Sequence, residues 1–358
     1  MRQDGDLLDV LVVGGGPVGL AAAIEARMRG LTVTVVEPRE GSVDKACGEG
    51  LMPGAVTALA RLGVTPGGHA LRGIRYLSAH RQVEHRFEGA AGHGSGTGSA
   101  ALEGTGLGVR RTVLHSALAD RAMELGVRFV TAKVTALEQD ADGVVAAGIR
   151  ARYLIGADGL HSTVRSLLDL ERAPSSHRRY GIRQHFRIQP WSDLVEVHWT
   201  DTVEAYVTPV DDCTVGVALL GRQGMDYAAR LAGIPALASR LAGIEPASKL
   251  RGAGPFRQRA SRRRVGRVML VGDSSGYVDA ITGEGIRVGL AQAEAAVTCI
   301  AADDVAGYER AWAQRTRDFR LLTTGLVALA GSPLRPVIVP LATALPGVFG
   351  AIVERLAR

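Results

Sequence analysis

The pattern Gly14-x-Gly16-x-x-Gly19, set between an apolar run at 7–14 and a helix-forming stretch at 17–29, constrains this chain more than any other feature. A second apolar run at 32–37 completes a strand, helix, strand unit, which requires a parallel sheet covered by helices. Each glycine has a physical reason to be there. Gly14 permits a tight turn, Gly16 lets a pyrophosphate approach the backbone, and Gly19 lets the helix close on the strand. The helix N-terminus attracts phosphate charge, and Glu37 ends the second strand where an acidic side chain meets a ribose. Glycines alone would also fit an ordinary structural turn. With strand, helix and acid in register, the reading is a nucleotide site.

Bulk properties narrow the partner. The 358 residues are 46% apolar, enough for one large core or two domains sharing an interface. A formal charge of +6 comes with 4% aromatics and no basic run interleaved with rings, so no nucleic-acid partner is expected. Cys47, Cys213 and Cys299 are odd in number and far apart, which argues against a disulfide framework and for a cytoplasmic location. Acidic residues precede the first apolar run and glycines end it, so it reads as a buried strand and not a secretion signal. The uncharged stretch 336–353 is broken by Pro336, Pro340, Pro346, Gly347 and Gly350. Short helices, or a greasy lip in peripheral contact with lipid, suit it better than a spanning helix.

Further along, 89–108 is rich in Gly, Ser and Ala and reads as a mobile connection or lid. A helical pattern covers 109–124, and strands are expected over 128–137, 144–149 and 152–157. Alternation of Val195, Val197 and Trp199, and of Val203, Ala205 and Val207, predicts an antiparallel meander over 176–221, with turns at Asp201-Thr202 and Asp211-Asp212. Buried-strand texture returns at 267–272, and 285–302 is helical. The arginines Arg257, Arg259, Arg262, Arg263, Arg264 and Arg267 invite an NADPH phosphate or anionic lipid, but the plainer reading is a solvated loop before the 267–272 strand. His80 and His85, at an odd spacing, would face opposite sides of a strand, and no metal site is expected.

Two later segments carry a resemblance. The run from Gly156 through Ala157, Asp158, Gly159, Leu160, His161, Ser162, Thr163 and Val164 to Arg165 resembles the GADGxxSxVR stretch of flavoprotein aromatic hydroxylases (the para-hydroxybenzoate hydroxylase-like group) and geranylgeranyl reductases. Gly272-Asp273-Ser274-Ser275-Gly276, followed by Thr282-Gly283-Glu284-Gly285-Ile286, resembles their GDAAG…GEGI stretch. Lys45-Ala46-Cys47-Gly48-Glu49-Gly50 is similar to the CGEG segment of the reductases. The resemblance implies an α/β fold: a Rossmann-like, glutathione-reductase-type FAD-binding domain with an inserted antiparallel β-sheet substrate domain and C-terminal helices. The implied division is 1–72, 105–172 and 262–302 for FAD, 73–104 and 173–261 for substrate, and 303–358 for the helical end. The implied cofactor set adds Pro17, Lys45, Cys47, Gly48, Arg111 and Val134 to Gly14, Gly16, Gly19 and Glu37, with Arg110 competing with Arg111. It also adds Asp158, Gly159, Gly272, Asp273, Gly283, Gly285 and Ile286. Reduced flavin carries negative charge, which backbone amides and the helix opened at Gly283 to Gly285 would stabilise. Cys47 would face the flavin as a catalytic candidate, against the plainer reading of a small buried thiol.

The pattern also departs from both groups. The reductases carry a YxWxFP substrate signature, where this chain has Glu204-Ala205-Tyr206-Val207-Thr208-Pro209, keeping Tyr206 and Pro209 as substrate candidates. After its GD pair this chain has Ser275-Gly276 and Asp279-Ala280, where hydroxylases carry a histidine and paired prolines. The expectation is an FAD enzyme that takes electrons from NAD(P)H without a second nucleotide domain. It hydroxylates an aromatic, polyketide or other lipophilic small molecule, or alternatively reduces a C=C bond of a prenyl or other lipid. A reading from another class is a lipid-binding escort resembling Rab escort proteins, against which the intact Gly14, Gly16, Gly19, Glu37 and Asp273 argue.

Overall fold

A computed structural model describes residues 7–42, 44–89, 104–173 and 178–358. Most of the Gly-rich stretch expected to form a lid, 90–103, lies outside the described residues. Two sheets organise the rest, in a mixed α/β fold. The first runs in the order Arg264–Val265, Val268–Leu270, Ile149–Gly156, Leu8–Val13, Val33–Val36, Arg128–Val130. All of these pair in parallel except the Arg264–Val265 edge. Its central strand Leu8–Val13 is buried on both faces, as the apolar run of LDVLVV requires, and its one acid, Asp9, accepts the Thr32 amide at 2.9 Å. Helices Pro17–Met28, Arg111–Glu124 and Gly285–Ala301 cover one face through Leu20, Ile24, Leu114, Leu118 and Val297.

The strand expected over 128–137 leaves the ladder after Val130, and pairing resumes only at Leu137–Gln139. The freed turn lets Ala132, Lys133 and Val134 line a cavity at the carboxyl ends of the parallel strands, where open α/β sheets place their ligands.

The second sheet runs Arg251–Ala253, Arg179–Phe186, Thr214–Arg222, Glu204–Asp211, Leu194–Trp199, Gly73–Leu77, Gln82–Arg86. It is not the simple meander that alternation predicted. Arg179–Phe186 skips its neighbour in sequence and pairs with Thr214–Arg222, while Leu194–Trp199 lies parallel to Gly73–Leu77. Alternation reports which side chains share a face and says nothing about which strand lies alongside. One face packs against helices Tyr227–Ala232 and Pro235–Leu241, through Val207, Val217, Leu219 and Leu237. The other carries Val195, Trp199, Tyr206 and Leu220 against Ile281 and the C-terminal helices Ile338–Ala344 and Pro346–Ala357.

No single helix among the described residues is long and apolar enough to cross a membrane. The stretch 336–353 is divided into short helices, with Pro336 in the turn before Ile338–Ala344 and Pro346 opening Pro346–Ala357, while Pro340 is taken up inside the first. His80 sits in a bend and not on a strand, and His85 meets Glu354 at 2.9 Å. Among the described residues no cluster of His, Cys, Asp and Glu is able to hold a metal.

Candidate active site

A cavity of about 150 Å³ brings together Gly14, Gly16, Glu37, Lys45, Arg111, Val134 and Asp158. Gly14 adopts φ +107°, and a β-carbon there would lie 2.5 Å from the Ala157 carbonyl oxygen. Gly19 is tighter still, its missing β-carbon falling 1.9 Å from the Gly14 oxygen. Helix and strand therefore touch backbone to backbone. Gly16 differs, since the space beside it holds only an Arg111 guanidinium nitrogen at 4.0 Å. Pro17 is buried at the first turn of the helix behind it.

Glu37 accepts the Gly15 amide on Oε2 at 2.8 Å and the Arg39 guanidinium on Oε1 at 2.6 Å. Burial pushes its carboxyl upward, but these donors prevail and hold it below the usual range. His115 fixes the loop from beneath, its Nε2 lying 3.0 Å from the Gly15 carbonyl oxygen. Burial lowers the pKa of this imidazole, with Arg111 adding to it and the Gly15 hydrogen bond opposing. On the opposite wall Asp158 Oδ2 accepts the Val164 amide at 3.0 Å, and Lys45 Nζ lies over Gly159. Burial first, then repulsion from Arg39 and Arg111, lowers the Lys45 pKa. Asp273 faces this cationic group, its carboxyl raised by burial and drawn partly back by Lys45, Arg111 and Arg165.

The residues fit a dinucleotide. Asp158 Oδ1 and Arg111 Nε are buried without a hydrogen-bond partner, and the methyl that Gly16 lacks would project into open space. A pyrophosphate among Lys45, Arg111 and the Gly16 turn would satisfy the donors, and an adenosine ribose would sit at Glu37. Of the two competing arginines, Arg111 lines the cavity, while Arg110 caps its helix.

The turn Gly272–Ser275 is tied on every side. Arg165, 1% exposed, donates to the carbonyl oxygens of Leu160 at 2.9 Å, Ser274 at 3.1 Å and Asp273 at 3.5 Å. Gln292 Oε1 accepts the Gly272 amide at 2.6 Å. Gly283 takes a left-handed φ of +72°, and Gly285 begins the helix Gly285–Ala301, in which Ile286 packs on the core.

Cys47 is a half-buried thiol whose Sγ accepts the Glu49 amide at 3.5 Å. The Gly48 carbonyl oxygen accepts Thr208 Oγ1 at 2.8 Å. Glu49 holds this segment in place from a left-handed φ of +59°. Its Oε1 accepts the Arg111 amide at 2.9 Å, and its Oε2 meets His185 Nε2 at 2.6 Å. One carboxylate therefore ties the CGEG segment to the nucleotide helix and to the substrate sheet. Tyr206 is buried and donates to the Ile281 carbonyl oxygen at 2.5 Å. Pro209 lies on the same strand, its carbonyl oxygen 1.7 Å from where a β-carbon on Gly108 would fall.

Sequence reasoning missed Glu49, His115 and Gln292 as site-shaping residues. Their signal was local only for Glu49, inside CGEG; the partners of His115 and Gln292 are distant in sequence. The arginine run is only in part the solvated loop expected: Arg257, Arg259 and Arg262 are exposed, but Arg263 is half-buried and stacks on Trp312 at 4.0 Å.

Glu284, buried at the N-cap of the Gly285–Ala301 helix, was legible only as a letter of the GEGI-like motif. Burial raises its carboxyl to about 7 although Arg287 Nε donates to it at 2.5 Å. The folded protein therefore keeps a proton that the unfolded chain releases above its ordinary 4.5, so stability falls as pH rises from about 4.5 to about 7. Between pH 5 and 8 this group should cost about 2 to 3 kcal/mol. Urea unfolding at the two pH values should show a correspondingly flatter dependence in Glu284→Gln; an identical slope in both proteins would assign the loss elsewhere.

A profile of the family described as FAD binding domain matches residues 7–211. The chain belongs to this FAD-binding-domain family. A menaquinone reductase of Mycolicibacterium smegmatis is 28% identical over 341 residues, covering 85% of this chain and 79% of that protein. A 12-dehydrotetracycline 5-monooxygenase/anhydrotetracycline 6-monooxygenase of Streptomyces rimosus is 27% identical, covering 80% of this chain and 61% of that one. The flavin-dependent brominase Bmp2 superposes with a TM-score of 0.82 at 16% identity, over 98% of this chain and 93% of that one, a likeness of fold. Within the FAD-binding-domain family this chain is an FAD-dependent oxidoreductase, an enzyme and not an escort.

Proposed function

We propose that this chain is an NAD(P)H-using FAD-dependent monooxygenase that hydroxylates an aromatic, polyketide or other lipophilic small molecule. The observation that carries this reading is a ring-rich cluster where the substrate sheet meets the C-terminal helix Pro346–Ala357 and the loop before the Gly285–Ala301 helix. Tyr76 lies 5.5 Å from Trp199 and 4.9 Å from Phe349, and Phe256 lies 6.0 Å from Tyr277. Trp199, Phe256 and Phe349 are themselves buried in this cluster, so it would form the apolar backing of the space that a flat apolar substrate enters and not its open wall. The Streptomyces relative, named for tetracycline-type substrates, supports the same class.

When bound, FAD would supply hydride chemistry fed by NAD(P)H and, with O2, transfer of one oxygen atom while the other leaves as water. The chain holds and orients. Lys45 and Arg111 neutralise phosphate, Glu37 accepts ribose hydroxyls, and Asp273, with its raised pKa, serves the sugar-alcohol chain. The amides of Gly283 and Gly285 lie at the positive end of their helix, where developing negative charge is stabilised. Cys47 and Gly48 border the reacting end. Tyr206, its hydroxyl committed to Ile281, sets the spacing between substrate sheet and flavin loop, and Pro209 shapes the same strand. Arg179 bridges Glu204 of the sheet to Asp279 of that loop, at 3.3 Å from Asp279. Burial pushes the Asp279 carboxyl to about 6.

A second reading, reduction of a lipid or quinone-type C=C bond, is favoured by the CGEG segment at this junction and by the breadth of the match to the mycobacterial reductase. Both readings take a greasy substrate. The exposed Leu334, Val337, Leu341, Leu345, Val348 and Ile352 of the C-terminal helices would give an otherwise cytoplasmic enzyme its peripheral contact with lipid. The test is anaerobic reduction with NADPH or NADH, then air with candidate phenols. Hydroxylation predicts oxygen uptake matched to product. Saturation of an alkene under anaerobic conditions, without uptake in air, would select the second reading.

A further inference from the structure

A second cavity, of about 360 Å³, lies behind the flavin loop between strand Gln258–Arg259, helix Gly285–Ala301 and helix Tyr308–Ala330. Its walls carry Arg172, Arg257, Arg259, Arg263 and Arg320, and none of the five is ion-paired among the described residues. The nearby carboxylates do not balance them. Glu309 is engaged by the Arg263 and Arg264 backbone amides, and Asp273, also on the lining, has a carboxyl that burial raises while Lys45, Arg111 and Arg165 draw it back.

Two of these arginines are built into the wall. Arg263 and Arg320 stack on Trp312 at 4.0 Å and 4.8 Å, and Trp312 is anchored by its indole N–H on Ser275 Oγ at 3.0 Å. The Nε atoms of both are buried with no hydrogen-bond partner. Burial, with the repulsion of Arg320 and Arg172 added, holds the Arg263 guanidinium below its ordinary value although Glu309 opposes. Arg172, Arg257 and Arg259 stand exposed at the rim, where the Arg172 amide donates to the Arg259 carbonyl oxygen at 3.0 Å. Five guanidiniums lining one cavity, with Glu309 the charge that opposes them at Arg263, repel one another, and their planar forks match phosphate oxygens.

We propose that this cavity, which shares Gly272, Asp273 and Gly285 with the residues assigned to FAD, holds a second anion site, taking a phosphate-bearing ligand with at least two negative charges, such as a diphosphate. That chemistry is shared by free phosphorylated anions and by the diphosphate of a nicotinamide dinucleotide. The proposal stands whether the enzyme hydroxylates or reduces. Because Gly272 and Asp273 line this cavity and Asp273 feels the charges of Lys45 and Arg111 in the nucleotide cavity, an occupant here would also brace the flavin loop.

The probe is inorganic pyrophosphate, titrated into the FAD-loaded protein by calorimetry and by tryptophan fluorescence. We expect saturable binding with Kd below about 1 mM, weakened at least about tenfold in Arg263→Gln and in Arg257→Gln/Arg259→Gln, with flavin absorbance retained. The fluorescence change should vanish in Trp312→Phe while the heat remains. The rim pair is exposed, so it answers the question even if Arg263→Gln fails to fold. Absence of saturation at 10 mM, or binding that both arginine variants leave unchanged, would overturn the site. Pyrophosphate that competes with NADPH in flavin reduction identifies the donor's diphosphate as the occupant; binding without competition identifies a free phosphorylated anion.

Discussion

Gly19→Ala should purify as a colourless protein that added FAD does not restore to yellow. The new methyl would fall 1.9 Å from the Gly14 oxygen and 3.2 Å from the Ala157 β-carbon. The first obstacle is backbone, so no rotamer change relieves it. Either the helix Pro17–Met28 backs away from its strand or the Gly14 turn opens, and both displace the amides meant for the pyrophosphate. A displacement of about 1 Å costs about 100-fold where groups must be placed that closely, and overpacking costs a further 1 to 3 kcal/mol or so of stability. Gly16→Ala separates the two effects. Its methyl meets nothing within 4 Å except the Arg111 guanidinium, so the apoprotein should unfold at the wild-type temperature while FAD affinity drops at least about tenfold. Full flavin content in Gly16→Ala would mean that the phosphates lie elsewhere.

Arg165→Leu should be the most destabilising of the substitutions considered, by about 3 to 5 kcal/mol. The side chain is 1% exposed and donates to three carbonyl oxygens from two separate turns. A leucine of similar bulk leaves those oxygens dry, at about 1 to 3 kcal/mol each where no water reaches them. Arg165→Lys keeps the charge but not the planar fork that spans Leu160 and Ser274, and should recover only part of the loss. Urea unfolding of the three proteins decides the matter: equal midpoints for Arg165→Leu and wild type would show that the carbonyls find other donors. Because the two turns are those at Asp158 and Asp273, flavin content should fall with stability.

The nucleotide half was legible because its constraints are local. Gly14, Gly16 and Gly19 act within a single turn, and Glu37 reaches only as far as Gly15. The Gly156–Arg165 and Gly272–Gly276 segments were legible as motifs, yet the reason they occur together was not. It lies in Arg165 crossing more than a hundred residues to the Ser274 carbonyl. The substrate sheet was read correctly face by face and wrongly strand by strand, because the ladder between Leu194–Trp199 and Gly73–Leu77 leaves no trace in the period of either segment. The arginine run shows the same limit. Six basic residues before a strand look like solvent-facing charge until Trp312, from a later helix, supplies the wall against which Arg263 stacks.

The ladder between Leu194–Trp199 and Gly73–Leu77 also bears on how such enzymes exchange parts. The substrate half is threaded from two stretches of chain and sealed by a third, the C-terminal helices, so it is no cassette to be lifted from one homologue into another at a single splice. A chimaera joined between these strands would mate the Gly73 strand of one parent with the Leu194 strand of the other. Backbone pairing would tolerate that readily, and the Arg75–Glu196 pair at 3.1 Å is a side-chain match across the seam that both parents would have to share. Diversification of specificity is thereby steered towards point changes on the ring-rich face and away from wholesale swaps.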